Sequence, residues 1–383
     1  MPLSNSEQRF IQTLIENGPT YRADLSRILN VSRTTITNLT QTLEAANLVG
    51  EDSTATQNLK KPLTLTTELG IIVSLAYHFT KVETTVGTLC GNILYHQLES
   101  YPLDLTAQQR LLLGATKIKE ALTQLAIPLS KLLGIHLAVD TQSDKTTGKV
   151  YSSAASKKWH DVNPKKFFTH TFNVPVYIEN TARLQGLAEA TWGAGTGSNN
   201  VYYVHLSHGV TGAQILNGAI MAGTRGGAGE LGHTVYSWSG PLCSCGNRGC
   251  LMQYVSIPAI ERDASSTLGK SMKYAEFAQH LKDRLPLALD IMERAMQILS
   301  QSLVNICHLL DPEVIILGGE IVEIDYPFAE KVELYLRQHA LPLSGTQIII
   351  REQQFHGEDV ACGKAGITSL RQTEEIIQLA LSK

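Results

Sequence analysis

Residues 229–250 read GELGHTVYSWSGPLCSCGNRGC, which sets His233 shortly ahead of Cys243, Cys245 and Cys250. One imidazole and three thiols in a glycine-rich run form a full tetrahedral donor set for Zn2+. An ordinary hydrophobic core has no use for such a cluster. The alternative is that the thiols stay free or pair and that His233 is simply a buried imidazole. The chain holds 6 cysteines among 383 residues, far below the density of a disulfide-stapled domain. The other three, Cys90, Cys307 and Cys362, lie in apolar or glycine-rich surroundings and read as buried thiols. The chain does not open with a basic flank and an apolar run, and no stretch approaches about 18 uninterrupted apolar residues. A signal peptide and membrane insertion are therefore not expected, and the protein reads as cytoplasmic, where thiolates are free to hold metal.

A length of 383 residues suits two or three domains, and 43% apolar residues can fill their cores. The formal net charge of -3 draws the whole molecule to no polyanion, so contact with nucleic acid must be local. Basic residues do gather early, at Arg9, Arg22, Arg27, Arg33, Lys60 and Lys61. A second group, Lys157, Lys158, Lys165 and Lys166, reads as solvated surface.

Ser4 and Glu7 spell a capping box, and Phe10, Ile11, Leu14 and Ile15 repeat behind it at helical spacing up to the Asn17-Gly18-Pro19 turn. A second helix is expected over about 21–29, with Leu25, Ile28 and Leu29 inward. A third begins near Ser32 and buries Ile36, Leu39 and Leu43. Its other face carries Ser32, Arg33, Thr34, Thr37 and Asn38, with no carboxylate to repel phosphate, which suits a helix lying in a major groove. Leu48-Val49 and Leu63–Leu65 pair as a hairpin. The loop between them, 51–62, ends in Lys60-Lys61-Pro62 and forms a basic wing. Residues 1–68 thus read as a winged helix–turn–helix for double-stranded operator DNA, the alternative being a small protein-interaction domain. A single head on a near-neutral chain binds weakly, so a homodimer or higher homo-oligomer is expected to place two heads on one duplex.

From about 70 onward the chain is α/β. Strands are expected at 70–75, 84–89, 91–95, 134–139, 174–178, 201–206, 212–216, 314–317 and 347–350. Helices are expected at about 105–131, after Asn180, through 257–310, near 327–340 and from Gly363. Two lobes with a cleft between them are the expected form.

The segment GGAGELGH, followed by CSCGNRGC, resembles the ROK family (repressors, open reading frames and sugar kinases), in particular its transcriptional-regulator branch. The resemblance covers nearly the whole chain. It implies an α/β, two-lobed actin-like or hexokinase-like ATPase fold behind the winged head. The implied domains are 1–68, 69–190 and 191–362, with a C-terminal helix at about 363–383 returning to the first lobe. It also implies that His233, Cys243, Cys245 and Cys250 hold one structural Zn2+ per chain. A closed four-ligand site keeps no position for a reactive water, which agrees with that role.

Family kinases hold a hexose through an Asn-Asp pair, the Glu and His of the acidic segment, and a Glu just past the third zinc Cys. Asn180, Glu230 and His233 match, and His233 is placed to orient Glu230. Thr181 stands where the catalytic Asp belongs, and Met252 replaces the last Glu. Thr cannot take a proton from a sugar hydroxyl at neutral pH. The first phosphate loop, an Asp-Gly-Gly-Thr turn in the family, reads Leu75-Ala76-Tyr77-His78-Phe79-Thr80, and the second, around Ser207–Gly212, is partly kept. No catalytic residue is therefore assigned. The expectation is a repressor of carbohydrate-related genes that senses a sugar or sugar phosphate in a degenerate kinase cleft. Control by a regulatory protein partner, a constitutive regulator and an active sugar kinase with an added head are the alternatives.

Overall fold

The computed structural model describes residues 3–52, 61–151, 159–345, 347–356 and 359–382. The chain forms two compact units. One contains Met1–Val150, Lys158–Glu179 and Cys362–Lys383, the other Tyr151–Lys157 and Asn180–Ala361.

The first unit begins with three helices, α1 (Asn5–Asn17), α2 (Arg22–Leu29) and α3 (Arg33–Ala45). The capping box forms as the sequence predicts: the Glu7 amide donates to Ser4 Oγ, and the Ser4 amide donates to the Glu7 carboxylate at 2.7 Å. Asn30 adopts a left-handed conformation that ends α2, and Ser32 caps α3 by accepting the Thr35 amide at 3.0 Å. β1 (Val49–Glu51) and β2 (Leu63–Leu65) pair antiparallel, with Val49 opposite Leu65. One expectation fails here. Ile28 is 52% exposed, because an eight-residue helix buries only Leu25 and Leu29, one turn apart. Leu39 is only half-buried.

Next come β3 (Ile71–Tyr77), β4 (Lys81–Thr88), β5 (Ile93–Ser100), α4 (Ala107–Gln124), β6 (Leu132–Val139), a small pair β7 (Gln142–Ser143) and β8 (Val150–Tyr151), α5 (Pro164–Phe172) and β9 (Val176–Asn180). α4 stops at Gln124 instead of reaching 131. Ala126 takes a positive φ and Pro128 follows, and neither continues a helix. The sheet order is β5-β4-β3-β6-β9, with β3 antiparallel to β4 and parallel to β6. α4 and α5 cover one face through Leu111, Ile118, Leu122 and Phe168.

The second unit holds α6 (Thr181–Trp192), β10 (Asn200–Leu206), β11 (Val210–Leu216), β12 (Ala219–Ile220), α7 (Met252–Val255), α8 (Ile257–Leu268), α9 (Tyr274–Lys282), α10 (Pro286–Leu310), β13 (Val314–Gly318), α11 (Phe328–His339), α12 (Pro342–Gly345) and β14 (Ile349–Glu352). Its sheet runs β12-β11-β10-β13-β14, the strand order of the first sheet repeated. In each, a meander supplies three strands and helical crossovers supply the other two.

The chain then adds α13 (Ala361–Arg371) and α14 (Glu374–Leu381) to the first unit. The sequence suggested one helix. Thr373 is extended and its hydroxyl bonds the Leu370 carbonyl, which separates the two. Ile367, Leu370, Ile376 and Ile377 share one buried cluster with Phe10, Leu14 and Leu25 of the opening helices and with Ile72, Leu89 and Leu133 of the sheet. Arg371 pins this junction by donating to the carbonyls of Ile15 (2.8 Å) and Cys90 (3.0 Å). Among the described residues, no helix is long and apolar enough to cross a membrane.

Candidate functional site

The side chains of His233, Cys243, Cys245 and Cys250 converge in the second unit, with one donor atom from each within 4.8 Å of the others. His233 Nδ1 lies 3.6 Å from Cys243 Sγ, and Cys245 Sγ lies 3.6 Å from Cys250 Sγ. A disulfide is about 2.05 Å long, so these thiols are unpaired. Tetrahedral thiolates about 2.3 Å from zinc stand roughly 3.8 Å apart, close to what is found. Backbone bonds shape the loop: the Cys243 amide donates to the Asn247 carbonyl at 2.7 Å, and the Gly246 amide donates to the Cys243 carbonyl at 3.0 Å. Gly249 is required by contact, since a Cβ there would lie 1.5 Å from the Ser237 carbonyl oxygen. The thiols differ electrically. Burial opposes ionisation of Cys243, but hydrogen bonding from Cys245, Cys250 and His233 overrides it and brings the pKa down to about 6. Burial and the neighbouring thiols push Cys250 up to about 12.

Glu230 precedes a short 3-10 turn, Leu231–His233, and His233 ends it. The His233 ring faces Cys243, and only the His233 amide reaches Glu230, through its backbone carbonyl at 2.9 Å. Burial raises the Glu230 pKa, against the pull of Arg183 and His233.

Asn180 is buried, but part of its side chain is already engaged. Its Oδ1 accepts the amides of Ala182 (2.9 Å) and Arg183 (3.3 Å) and so caps α6. Thr181, also buried, opens that helix. Arg183 is the residue that sequence reasoning passed over. A cation in a first helical turn opposes the helix dipole. Arg183 is nonetheless buried, donates from Nη2 to the Gly226 carbonyl and acts electrostatically on Glu230. It links the capped end of α6 to the segment carrying Glu230. The signal available in the sequence was an arginine three residues past Asn180, in the first turn of a helix otherwise without a cation. Met252 is partly buried at the start of α7.

In the head, Ser32, Arg33, Thr34, Thr37 and Asn38 are all exposed along α3. The Thr37 hydroxyl donates to the Arg33 carbonyl, and Ser32 is committed to the cap. Arg33, Thr34 and Asn38 remain as the outward side chains without a side-chain bond among the described residues. Arg22 is held by Glu44 and Glu51, and Arg27 by Asp24. Lys61 is half-buried, and Lys60 lies outside the described residues.

A family model described as the ROK family matches residues 73–369. The xylose repressor of Bacillus spizizenii is 28% identical over 326 residues, covering 83% of each chain. The glucokinase of Halalkalibacterium halodurans is 30% identical over 228 residues, covering 56% of this chain and 69% of its own. The crystal structure of a ROK family transcriptional regulator, a homolog of the E. coli MLC protein, aligns with a TM-score of 0.77 at 20% identity, covering 99% of this chain and 98% of that one. The fold is therefore the actin- and hexokinase-like ATPase fold behind an N-terminal helical region, in a family that contains both sugar kinases and repressors. With the family model matching most of its length, this chain belongs to the ROK family.

Proposed function

We propose that this protein is a DNA-binding transcriptional repressor of carbohydrate-related genes, with a kinase-like body that acts as a sensor and not as an enzyme. The observation that carries this reading is the exposed face of the first turns of α3, which holds no carboxylate; the family resemblance that sets Thr181 where a catalytic Asp belongs supports it. Two features weigh against phosphoryl transfer. The turn after β3, His78-Phe79-Thr80, has no glycine to expose amides to phosphate. The turn at Ser207 is bonded to Glu320, a carboxylate that would repel phosphate. Incubation with ATP and hexoses is expected to give no phosphorylated sugar. Turnover that Thr181→Ala abolishes would reverse this assignment.

His233, Cys243, Cys245 and Cys250 fit one structural Zn2+ per chain: three thiols and an imidazole at tetrahedral spacing, with no fifth donor among the described residues. The ion would cross-link the loop that also carries Glu230. The effector we assign to Asn180 and Glu230 is a sugar or sugar phosphate. His233 is committed to the cluster and contributes through its position. Because Asn180 caps α6, replacing it by Ala would cost about 1 kcal/mol of helix stability and confuse the result. Asn180→Asp keeps the cap and removes the amide donor, and Glu230→Gln keeps the shape and removes the charge. Calorimetry against a panel of sugars and sugar phosphates is expected to find a ligand whose affinity falls about tenfold or more in either variant. That ligand must shift operator affinity by the same factor as operator shifts its own. If nothing in the panel binds while a cellular protein releases the DNA, control passes to a protein partner, a reading that Thr181 and Met252 favour.

One reading helix per chain and a near-neutral charge require two heads on one operator. Light scattering of the full chain at micromolar concentration should give a homodimer or larger. A strict monomer that binds operator as a single chain would rule this out.

A further inference from the structure

A second cluster lies in the first unit, on the face of the sheet that α13 covers. The Glu83 carboxylate on β4 is only 2% exposed and collects several neighbours. His78 Nε2 lies 3.0 Å from one of its oxygens; His96 Nε2 (3.3 Å) and the Gly363 amide (2.8 Å) approach the other. Cys362, fully buried at the start of α13, completes the group. Donor atoms of His78, Glu83 and Cys362 all fall within 4.8 Å of one another. The sheet register builds this arrangement: Glu83 and Thr85 share one face of β4, and Thr85 stands directly opposite His96 on β5.

Gly363 lets α13 close on them, since a Cβ there would lie 1.9 Å from Thr85 Oγ1 and 2.6 Å from Glu83 Oε1. Two buried polar atoms, His96 Nε2 and Thr85 Oγ1, make no well-directed hydrogen bond. The two imidazoles hold the Glu83 carboxyl down to about 2 against its burial, so the carboxylate stays ionised in the interior, yet the His96 contact is poorly directed.

We propose that His78, Glu83 and Cys362, with His96 as fourth donor, form a second metal site for a borderline divalent transition ion such as Zn2+ or Co2+. The donor chemistry suits such an ion: two imidazoles, one carboxylate and one thiolate. Tetrahedral donors 2.0–2.3 Å from zinc lie roughly 3.3–3.8 Å apart; the 3.0 Å contact of His78 with Glu83 is near this, whereas His96, 3.3 Å from the other Glu83 oxygen, stands outside the group of three donors and must turn inward to join it. Burial and the Glu83 carboxylate keep the Cys362 thiol protonated in the absence of a cation. A divalent ion supplies the charge that lets thiolate and carboxylate sit together. The site ties the β3–β4 turn and β5 to the first turn of α13. It occupies the turn where family kinases carry their first phosphate loop, and it is independent of the four-ligand loop in the second unit and of the regulatory reading.

The test is titration with Co2+ of full-length protein first brought to one zinc per chain, followed by metal content and absorption. Wild type is expected to take up one further equivalent with a thiolate-to-cobalt charge-transfer band. Cys362→Ser should lose that band while keeping its original zinc, so any band it retains reports cobalt exchanged into the four-ligand loop. His96→Gln and Glu83→Gln should weaken uptake about tenfold or more. These two also serve if Cys362→Ser does not fold, which circular dichroism reports. Identical uptake and spectra in wild type and the folded variants would overturn the proposal and leave the cluster an ion-paired network.

Discussion

Cys245→Ala is expected to lower tightly held zinc by one ion per chain and to loosen segment 229–250. The thiols at this site have conflicting tendencies: hydrogen bonds from its neighbours bring the Cys243 pKa down, whereas burial and the neighbouring thiols push that of Cys250 up. Without a cation, three thiolates cannot share one loop. Leu242 and Trp238 are exposed, so the loop's remaining order comes mainly from backbone bonds among its own residues, such as Cys243 to Asn247 and Gly249 to Pro241, and from the Val235–Cys250 and Leu242–Arg248 bridges. Losing a structural metal belongs with the large single-site effects, so a local cost of about 4 kcal/mol or more is expected. Limited proteolysis should cut within 234–250 in the variant and spare the wild type. Metal analysis and proteolysis together decide the matter. Wild-type protein prepared with zinc available that carries none and is fully ordered would end the structural-metal reading. Glu230 precedes this loop directly, so the same variant should weaken effector binding with no change at Glu230 itself.

What the sequence revealed, and what it hid, follows from the range of each signal. Local signals were readable. The capping box at Ser4 and Glu7, the polar face of α3 and the cysteine spacing all act within a turn or a loop. The limits of α4 were misread because apolar periodicity continues to Leu125, whereas the stop comes from the positive φ at Ala126. Ile28 was misread because a short helix needs only two apolar anchors. Long-range consequences stayed hidden. Asn180 matched a sugar-binding pattern, yet its oxygen also caps α6, which only the backbone trace reveals. Arg183 is far in sequence from Gly226 and Glu230 and meets them only in the folded unit. Glu83, His96 and Cys362 looked unremarkable because strand register and a returning C-terminal helix bring them together.

Arg33→Ala is expected to relax base recognition without unfolding the head. The side chain is exposed in the first turn of α3, makes no ion pair among the described residues and has no carboxylate beside it. One bidentate contact to guanine is worth about 1–3 kcal/mol of discrimination, or roughly tenfold to a hundredfold between operator and mismatched DNA. Lys61→Ala should instead weaken all sequences alike and lower the salt slope by about one, as loss of a phosphate contact does, and Lys60→Ala should behave in the same way. Arg22→Ala is the control. Its guanidinium is engaged by Glu44 and Glu51, so specificity should not change and stability should fall by no more than about 1 kcal/mol. Point variants are the right tool here. Deleting residues 1–68 would strip Phe10, Leu14 and Leu25 from a core shared with Ile72, Leu133 and Leu370, so lost binding could reflect a damaged body. Titrations of the full chain against a fragment of its own promoter region, over a range of salt, separate the cases. If Arg33→Ala binds with unchanged affinity and unchanged preference, α3 is not the reading helix.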